Sequence, residues 1–163
     1  MTAESEIRRA SIADADAASL IAALNAELRA QYPEAGANHF ALSADEIAPG
    51  RGAFLLALHG AKPVGCGAVR LLDSETAELK RMYVTPAARG LGIGRQLVAA
   101  LEAEAAALGA RRLVLETGSR QTAALALYAR CGFEPIELYG EYRDSPRTSV
   151  CLGKRMSPSK GNA

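Results

Sequence analysis

With 163 residues, 49% of them hydrophobic and 23% charged, the chain is long enough to bury one sizeable core and too short for a second domain. A net charge of +1 argues against general nucleic-acid binding, and no apolar run approaches the roughly 20 residues that a membrane-spanning helix needs. The N-terminal stretch lacks the positive-then-apolar layout of a secretion signal, which predicts a cytoplasmic protein.

In chain order, residues 7–11 predict a short strand, and Ser11 with Asp14 three positions on resembles a capping box. Ala17, Leu20, Ile21, Leu24 and Leu28 then recur at helical spacing. Periodicity is lost over residues 31–52, where "SADEIAPG" offers only a short capped turn, and an irregular stretch of that length reads as a lid or binding loop. "AFLLALHG", "AKP" and "VGCGAVRLLD" predict strand, turn and strand, followed by "AELKRMYV" as a third strand of an antiparallel meander. Gly65 and Gly67 inside the second strand imply a bulge or a close backbone neighbour.

Ile93, Leu97, Val98, Leu101, Ala105 and Leu108 form a second helical stripe that stops at Gly109, and "RRLVLET" reads as a buried strand. Ala124, Leu127, Tyr128 and Cys131 form a third stripe ended by Gly132. "EPIELYGEY" and "TSVCLGKRM" predict two closing strands, so that residues 1–156 make one mixed α/β domain and 157–163 a frayed tail. Cys66, Cys131 and Cys151 lie in apolar runs at wide spacing and read as buried free thiols. Only His39 and His59 could join them in a metal site, so no metal is expected.

Charge is unevenly placed. Residues 1–50 hold eight Asp and Glu against three Arg, and the rest of the chain carries 16 basic and 10 acidic groups. Two readings stay open: chance asymmetry on a solvated surface, or a cationic ligand near the N-terminal part and an anionic one on the remainder.

The most distinctive stretch is "YVTPAARGLGIGRQLV", residues 83–98. A strand that runs into a glycine-rich turn and then a helix gathers unpaired backbone N–H groups and the positive end of the helix dipole at one point, which favours an anion such as phosphate. Arg89 and Arg95 flank the glycines with positive charge. A dinucleotide fingerprint fails in both registers, because Arg95 or Leu97 stands where its third glycine belongs. Glu116, near the place of a ribose-binding acid, is the one point in favour of a nicotinamide enzyme. A Walker loop is excluded by the missing Gly-Lys-Ser/Thr.

"MYVTPAARGLGIGRQLV" resembles the pyrophosphate-binding segment of the GNAT superfamily of acyl-CoA-dependent N-acyltransferases, with Arg89, Gly92 and Gly94 in the pattern Gln/Arg-x-x-Gly-x-Gly/Ala. "ALALYARCGF" resembles the same family's later helix ending in Tyr-x-x-x-Gly-Phe, and "SVCLGKRM" its closing strand. The resemblance is strong over residues 75–156. It implies a mainly antiparallel sheet of six to seven strands with splayed central strands, flanked by helices.

By the same resemblance the co-substrate is acetyl-CoA, its pyrophosphate held by the backbone of Arg89, Gly90, Leu91, Gly92, Ile93, Gly94 and Arg95. Its pantetheine would lie along Met82, Tyr83 and Val84, with the Met82 N–H as oxyanion donor. Tyr128 matches the family's thiolate-protonating tyrosine, and Gln121 stands where an asparagine usually meets the pantetheine. Glu78 matches the general base of the histone-acetyltransferase branch; a solvated Glu78 with a water relay is the alternative. The implied activity is acetyl transfer to a primary amine, small or peptidic, by direct attack in a ternary complex. A CoA-binding sensor without turnover is the alternative. Acidic residues in 1–50 would suit a cationic acceptor, with Tyr139 and Tyr142 lining its site. Late strands that pair between copies in relatives leave homodimerisation open.

Overall fold

The structure is a computed structural model that describes residues 5–156. The strands are β1 (Ser5–Arg9), β2 (Gly52–His59), β3 (Lys62–Leu71), β4 (Thr76–Val84), β5 (Arg112–Gly118), β6 (Glu134–Ile136) and β7 (Ser149–Arg155). The helices are α1 (Ala15–Gln31), α2 (Ile93–Ala107) and α3 (Thr122–Arg130). The strands form one seven-stranded sheet in the order β1-β2-β3-β4-β5-β7-β6, with β4 and β5 as its parallel pair and antiparallel pairing elsewhere.

The sheet is buried on both faces, which explains the unbroken apolar run of β2. Leu55 and Ala57 face α2 in a cluster with Leu79, Leu97, Leu101 and Leu113. Phe54 and Leu56 point the other way, toward Leu20 and Leu24 of α1.

Two features of β4 open the sheet at its centre. Cys66 pairs with Tyr83 and Ala68 with Lys80, so Gly67 alone opposes Arg81 and Met82. This is a β-bulge, with Arg81 held at φ 58°. Gly67 allows it, because a Cβ there would stand 2.6 Å from Met82 Sδ and 2.7 Å from Leu101 Cδ1. The parallel ladder of β4 with β5 runs from Thr76↔Arg112 to Leu79↔Leu115 and stops. Beyond it the two strands splay, and their facing edges are left without ladder partners.

Several local expectations are corrected. The first helix is capped by Asp14, which accepts from the N–H groups of Asp16 and Ala17 at 2.8 and 3.2 Å, while Ser11 stays outside the helix. A reciprocal capping box does occur at Ser43 and Glu46, on the short 3-10 turn Asp45–Ile47. The hairpin after β2 turns on Gly60 and Ala61, both at positive φ, so β3 begins at Lys62 and the expected "AKP" turn is displaced. The stretch after β6 is not strand. A 3-10 turn over Gly140–Asp144 follows and drives Tyr142 inward. Cys66 and Cys151 are buried free thiols, whereas Cys131 is only half-buried. The expected frayed tail, 157–163, lies outside the described residues. No helix among the described residues is long and apolar enough to cross a membrane.

Candidate active site

The glycine corner is built as its letters suggest. After β4, Pro86–Ala88 make a 3-10 turn, and Gly90 and Gly92 adopt φ of 84° and 81°. No protein atom lies within 4 Å of where a Cβ would stand at either glycine, so the backbone conformation and not packing demands them. Gly92 caps α2 without any side-chain hydrogen bond, and the first intrahelical acceptance is from Gln96. The N–H groups of Ile93, Gly94 and Arg95 therefore have no protein acceptor among the described residues, and they converge at the positive end of α2. Gly94 also allows close packing, since a Cβ there would stand 3.0 Å from Leu127 of α3.

Arg89 does not point its charge at the corner. Its Nε donates to the Val84 carbonyl at 3.0 Å and its Nη2 to Glu27 of α1, with the guanidinium over the Tyr83 ring. The side chain thus ties the corner to β4 and α1, while Arg95 stays exposed on the groove wall.

From the corner a groove of about 490 Å³ runs between β4 and α3, lined by Met82, Tyr83, Val84, Gly92 and Tyr128 among others. A second cavity, of about 90 Å³, opens at the splay between β4, β5 and the 37–40 segment. Leu24, Met82, Gln121 and Tyr128 border both spaces, so groove and cavity meet at these four residues.

Tyr128 lies edge-on to Phe133 and is almost enclosed. Burial pushes its phenol well above the ordinary tyrosine range, with Cys131 and Glu116 acting the same way. It is therefore a protonated hydroxyl at neutral pH. Gln121 accepts from Thr117 Oγ1 at 3.2 Å and lies 3.4 Å from the side-chain oxygen of Gln31, bridging β5 and α1 at the junction.

The smaller cavity is charged. Glu116 of β5 lines it and accepts from Ser149 Oγ at 2.7 Å. Burial holds its carboxyl above the usual range, against the opposing pull of that hydrogen bond, His39 and Lys80. Lys80 of β4 also lines the cavity and is 7% exposed. Its Nζ is shielded from solvent and has no hydrogen-bond partner among the described residues. Burial pulls the Lys80 ammonium below the ordinary lysine range, against the pull of Glu78. Arg81 completes this wall, hydrogen-bonded to Asn25 and stacked 5.0 Å from the Phe40 ring centre.

Glu78 lines neither space. It is completely buried behind the cavity wall. Arg70 Nε donates to its Oε1 at 2.9 Å, and Tyr139 and Tyr142 donate to its Oε2 at 2.5 and 3.0 Å. Of the two tyrosines, Tyr142 reaches the cavity. The long irregular segment forms the cavity's outer wall through Asn38, His39 and Phe40. His39 Nδ1 donates to Glu141 at 2.7 Å, and its ring edge meets Tyr142.

The splay, the glycine corner and α3 thus gather Met82, Tyr83, Val84, Arg89, Gly90, Gly92, Ile93, Gly94, Arg95, Gln121 and Tyr128 around one groove, and leave Glu78 and the exposed Leu91 off its lining. Among the cavity residues that had no role there from sequence are His39, Lys80, Arg81 and Glu116. In "AELKRMYV" the charges read as an exposed strand face, but β4 is central and covered on both sides. Its charges are consequently buried, and Glu78 is held by Arg70 and two tyrosines. The acidic residues of the first 50 do not collect at the cavity either. Glu27, Glu34 and Glu46 are engaged by Arg89, Arg120 and Arg70.

Comparison with known proteins agrees with this geometry. A sequence model of the Acetyltransferase (GNAT) family matches residues 18–133. An IAA acetyltransferase from Azospirillum brasilense is 41% identical over 129 residues, covering 78% of this chain and 82% of that one. A structure from Klebsiella pneumoniae subsp. pneumoniae MGH 78578, assigned as an acyl-CoA N-acyltransferase, superposes with a TM-score of 0.78 at 33% identity, over 93% of this chain and 97% of that one. A GNAT family acetyltransferase from Elizabethkingia anophelis, crystallised with acetyl-CoA bound, shares the fold with a TM-score of 0.67 at 21% identity, over 93% and 98% of the two chains.

Proposed function

The chain belongs to the GNAT family of acetyl-CoA-dependent N-acetyltransferases, and on that premise we propose that Met82, Glu116 and Tyr128 form its reaction centre where groove and cavity meet. The observation that carries the reading is the set of shared walls: Met82 and Tyr128 border both the groove below the glycine corner and the charged cavity at the splay.

Acetyl-CoA is the donor substrate. The free N–H groups of residues 93–95 and the positive-φ turn at Gly90 and Gly92 suit its pyrophosphate, and Arg95 adds charge beside them. Met82, Tyr83 and Val84 offer the unpaired edge of β4 to the pantetheine amides, and Gln121 offers a side-chain amide at the junction. Arg89 acts through position, by fixing the corner against Val84 and Glu27.

The acceptor amine enters from the cavity as the neutral base. Its nitrogen lone pair forms the C–N bond to the acetyl carbonyl carbon, and the N–H of Met82 meets negative charge developing on the acetyl oxygen. The C–S bond breaks with its electron pair going to sulfur, which takes the Tyr128 hydroxyl proton. One N–H proton of the acceptor goes to Glu116, and solvent carries it back to Tyr128, leaving an amide and a thiol. Glu116 is the better-placed base than Glu78, because it lines the cavity while the oxygens of Glu78 are engaged by Arg70, Tyr139 and Tyr142.

Tyr128→Phe tests the acid role. A general acid supplies about 100- to 10,000-fold in rate, so turnover followed by thiol release should fall at least about 100-fold while the Kd for acetyl-CoA stays within about twofold. Unchanged turnover would remove the hydroxyl from the mechanism.

A further inference from the structure

The charge inside the acceptor cavity bears on what the acceptor is. Lys80 Nζ is enclosed, 6.0 Å from the centre of the Tyr142 ring, and pairs with no carboxylate among the described residues. Glu78, the acid two positions earlier on the same strand, has Arg70, Tyr139 and Tyr142 as its hydrogen-bond donors instead. An ammonium taken out of water without a partner is strongly unfavourable, and an anionic ligand that pairs with it would relieve that cost. Around Lys80 the same cavity is lined by Arg81, a second cation, and by His39 and Asn38, whose side-chain nitrogens are engaged by Glu141, Ser145 and the Tyr32 carbonyl. Glu116 is the one carboxylate on that lining.

We propose that the acceptor is an amino acid, held with its carboxylate on Lys80 and its amino group toward Glu116, and N-acetylated on that amino group. This rests on the acetyl-transfer reading above and adds the class of acceptor. The carboxylate of an amino acid would meet Lys80 and Arg81, cations of this wall that no carboxylate pairs among the described residues, while its neutral amino group donates an N–H to Glu116. A plain cationic amine would leave Lys80 unpaired and add a further positive charge beside it. The small cavity suits a free amino acid better than a peptide segment, and the surrounding Leu24, Leu28 and Phe40 offer apolar cover to a side chain. The bond changes are those already given: C–N forms, C–S breaks, the amine proton leaves through Glu116 and the thiol carries the proton from Tyr128.

The test compares, by thiol release with acetyl-CoA, the protein amino acids with their methyl esters and their decarboxylated amines. Free amino acids should be the acceptors, with kcat/KM about 10- to 100-fold above the matching ester and amine, as expected for losing hydrogen bonds to a charged group. Lys80→Met keeps the length and the apolar stem and removes the ammonium. It should raise KM for the amino acid by a similar factor, leave the poor amines unchanged and keep acetyl-CoA binding. Its Tm should equal or exceed that of the parent, which establishes that it is folded.

Esters or amines that match the free acids would overturn the proposal and leave acetyl transfer standing. So would a Lys80→Met variant that loses turnover equally with every acceptor, since Lys80 would then act on the donor. Absence of thiol release with every compound would instead remove the acetyltransferase reading, and the acceptor class with it.

Discussion

Glu116 and Lys80, on which the proposed site rests, show what burial does to ordinary charged residues. The Glu116 carboxyl has been taken from water with one hydroxyl partner, Ser149, so its proton is held more tightly than in a free glutamate. A base with a raised value loses its proton only above the usual range near 4.5, so the acid limb of kcat/KM should lie higher than a free carboxylate would give. Glu116→Gln should remove the carboxyl's part of that limb, leave the part set by the acceptor amine's own ionisation, and lower kcat/KM about 100-fold; an unchanged kcat/KM in the variant would assign the base elsewhere. The stability effect has the opposite sign. A carboxyl whose folded value is raised destabilises the fold above that value and costs nothing below the unfolded one, so the variant should be no less stable than the parent at neutral pH. Tyr128 was legible in the letters because Tyr-x-x-x-Gly-Phe places it. Lys80 was not, since nothing in "AELKRMYV" reveals that a charged strand lies at the middle of a sheet covered on both faces.

Several close approaches between elements are permitted by glycines. Gly118 ends β5 under the ring of Tyr32, where a Cβ would stand 1.9 Å from the hydroxyl and 2.2 Å from the ring carbon that carries it. That hydroxyl accepts from the Arg120 N–H at 2.8 Å, and Arg120 donates to Gln31 and Glu34, so the end of α1 is clamped to the loop before α3. Gly118→Ala should break this clamp and lower stability by about 1–3 kcal/mol, the usual cost of overpacking a tight contact. In a Tyr32→Ala background, itself destabilised, the added cost of Gly118→Ala should shrink, as read by denaturant midpoints; no loss in the single variant would show that the clamp is slack. The glycine corner and the three helices were readable because stripes and punctuating glycines are local signals. Asp14 in place of Ser11 as the cap, and the 3-10 turn at Gly140–Asp144 in place of a strand, were not. The first turns on which of two nearby oxygens reaches the helix N–H groups. The second depends on Tyr139 and Tyr142 reaching back 61 and 64 positions to Glu78, a contact no local pattern contains.

At the scale of the molecule, function follows from a sheet that fails to close. The β-bulge at Arg81 and Met82 and the end of the ladder at Leu79↔Leu115 leave a slot through the centre. The groove proposed for the donor and the charged cavity both open on that slot, and Leu24, Met82, Gln121 and Tyr128 border the two. The glycine motif pointed to a phosphate-bearing ligand, because a phosphate cradle is local chemistry, and the family resemblance supplied acetyl-CoA. The acceptor wall is assembled from α1, the 37–40 loop, β4, β5 and the 3-10 turn, and its charge emerges only when they are folded together. The central claim is that acetyl leaves acetyl-CoA for an amine at this slot. Its most direct test is to incubate the protein with acetyl-CoA and the amino-acid panel, and to quantify N-acetyl product by mass spectrometry alongside free thiol. The account predicts one N-acetyl amino acid formed for each thiol released. Thiol release without acetylated product, or tight acetyl-CoA binding with neither, would contradict it.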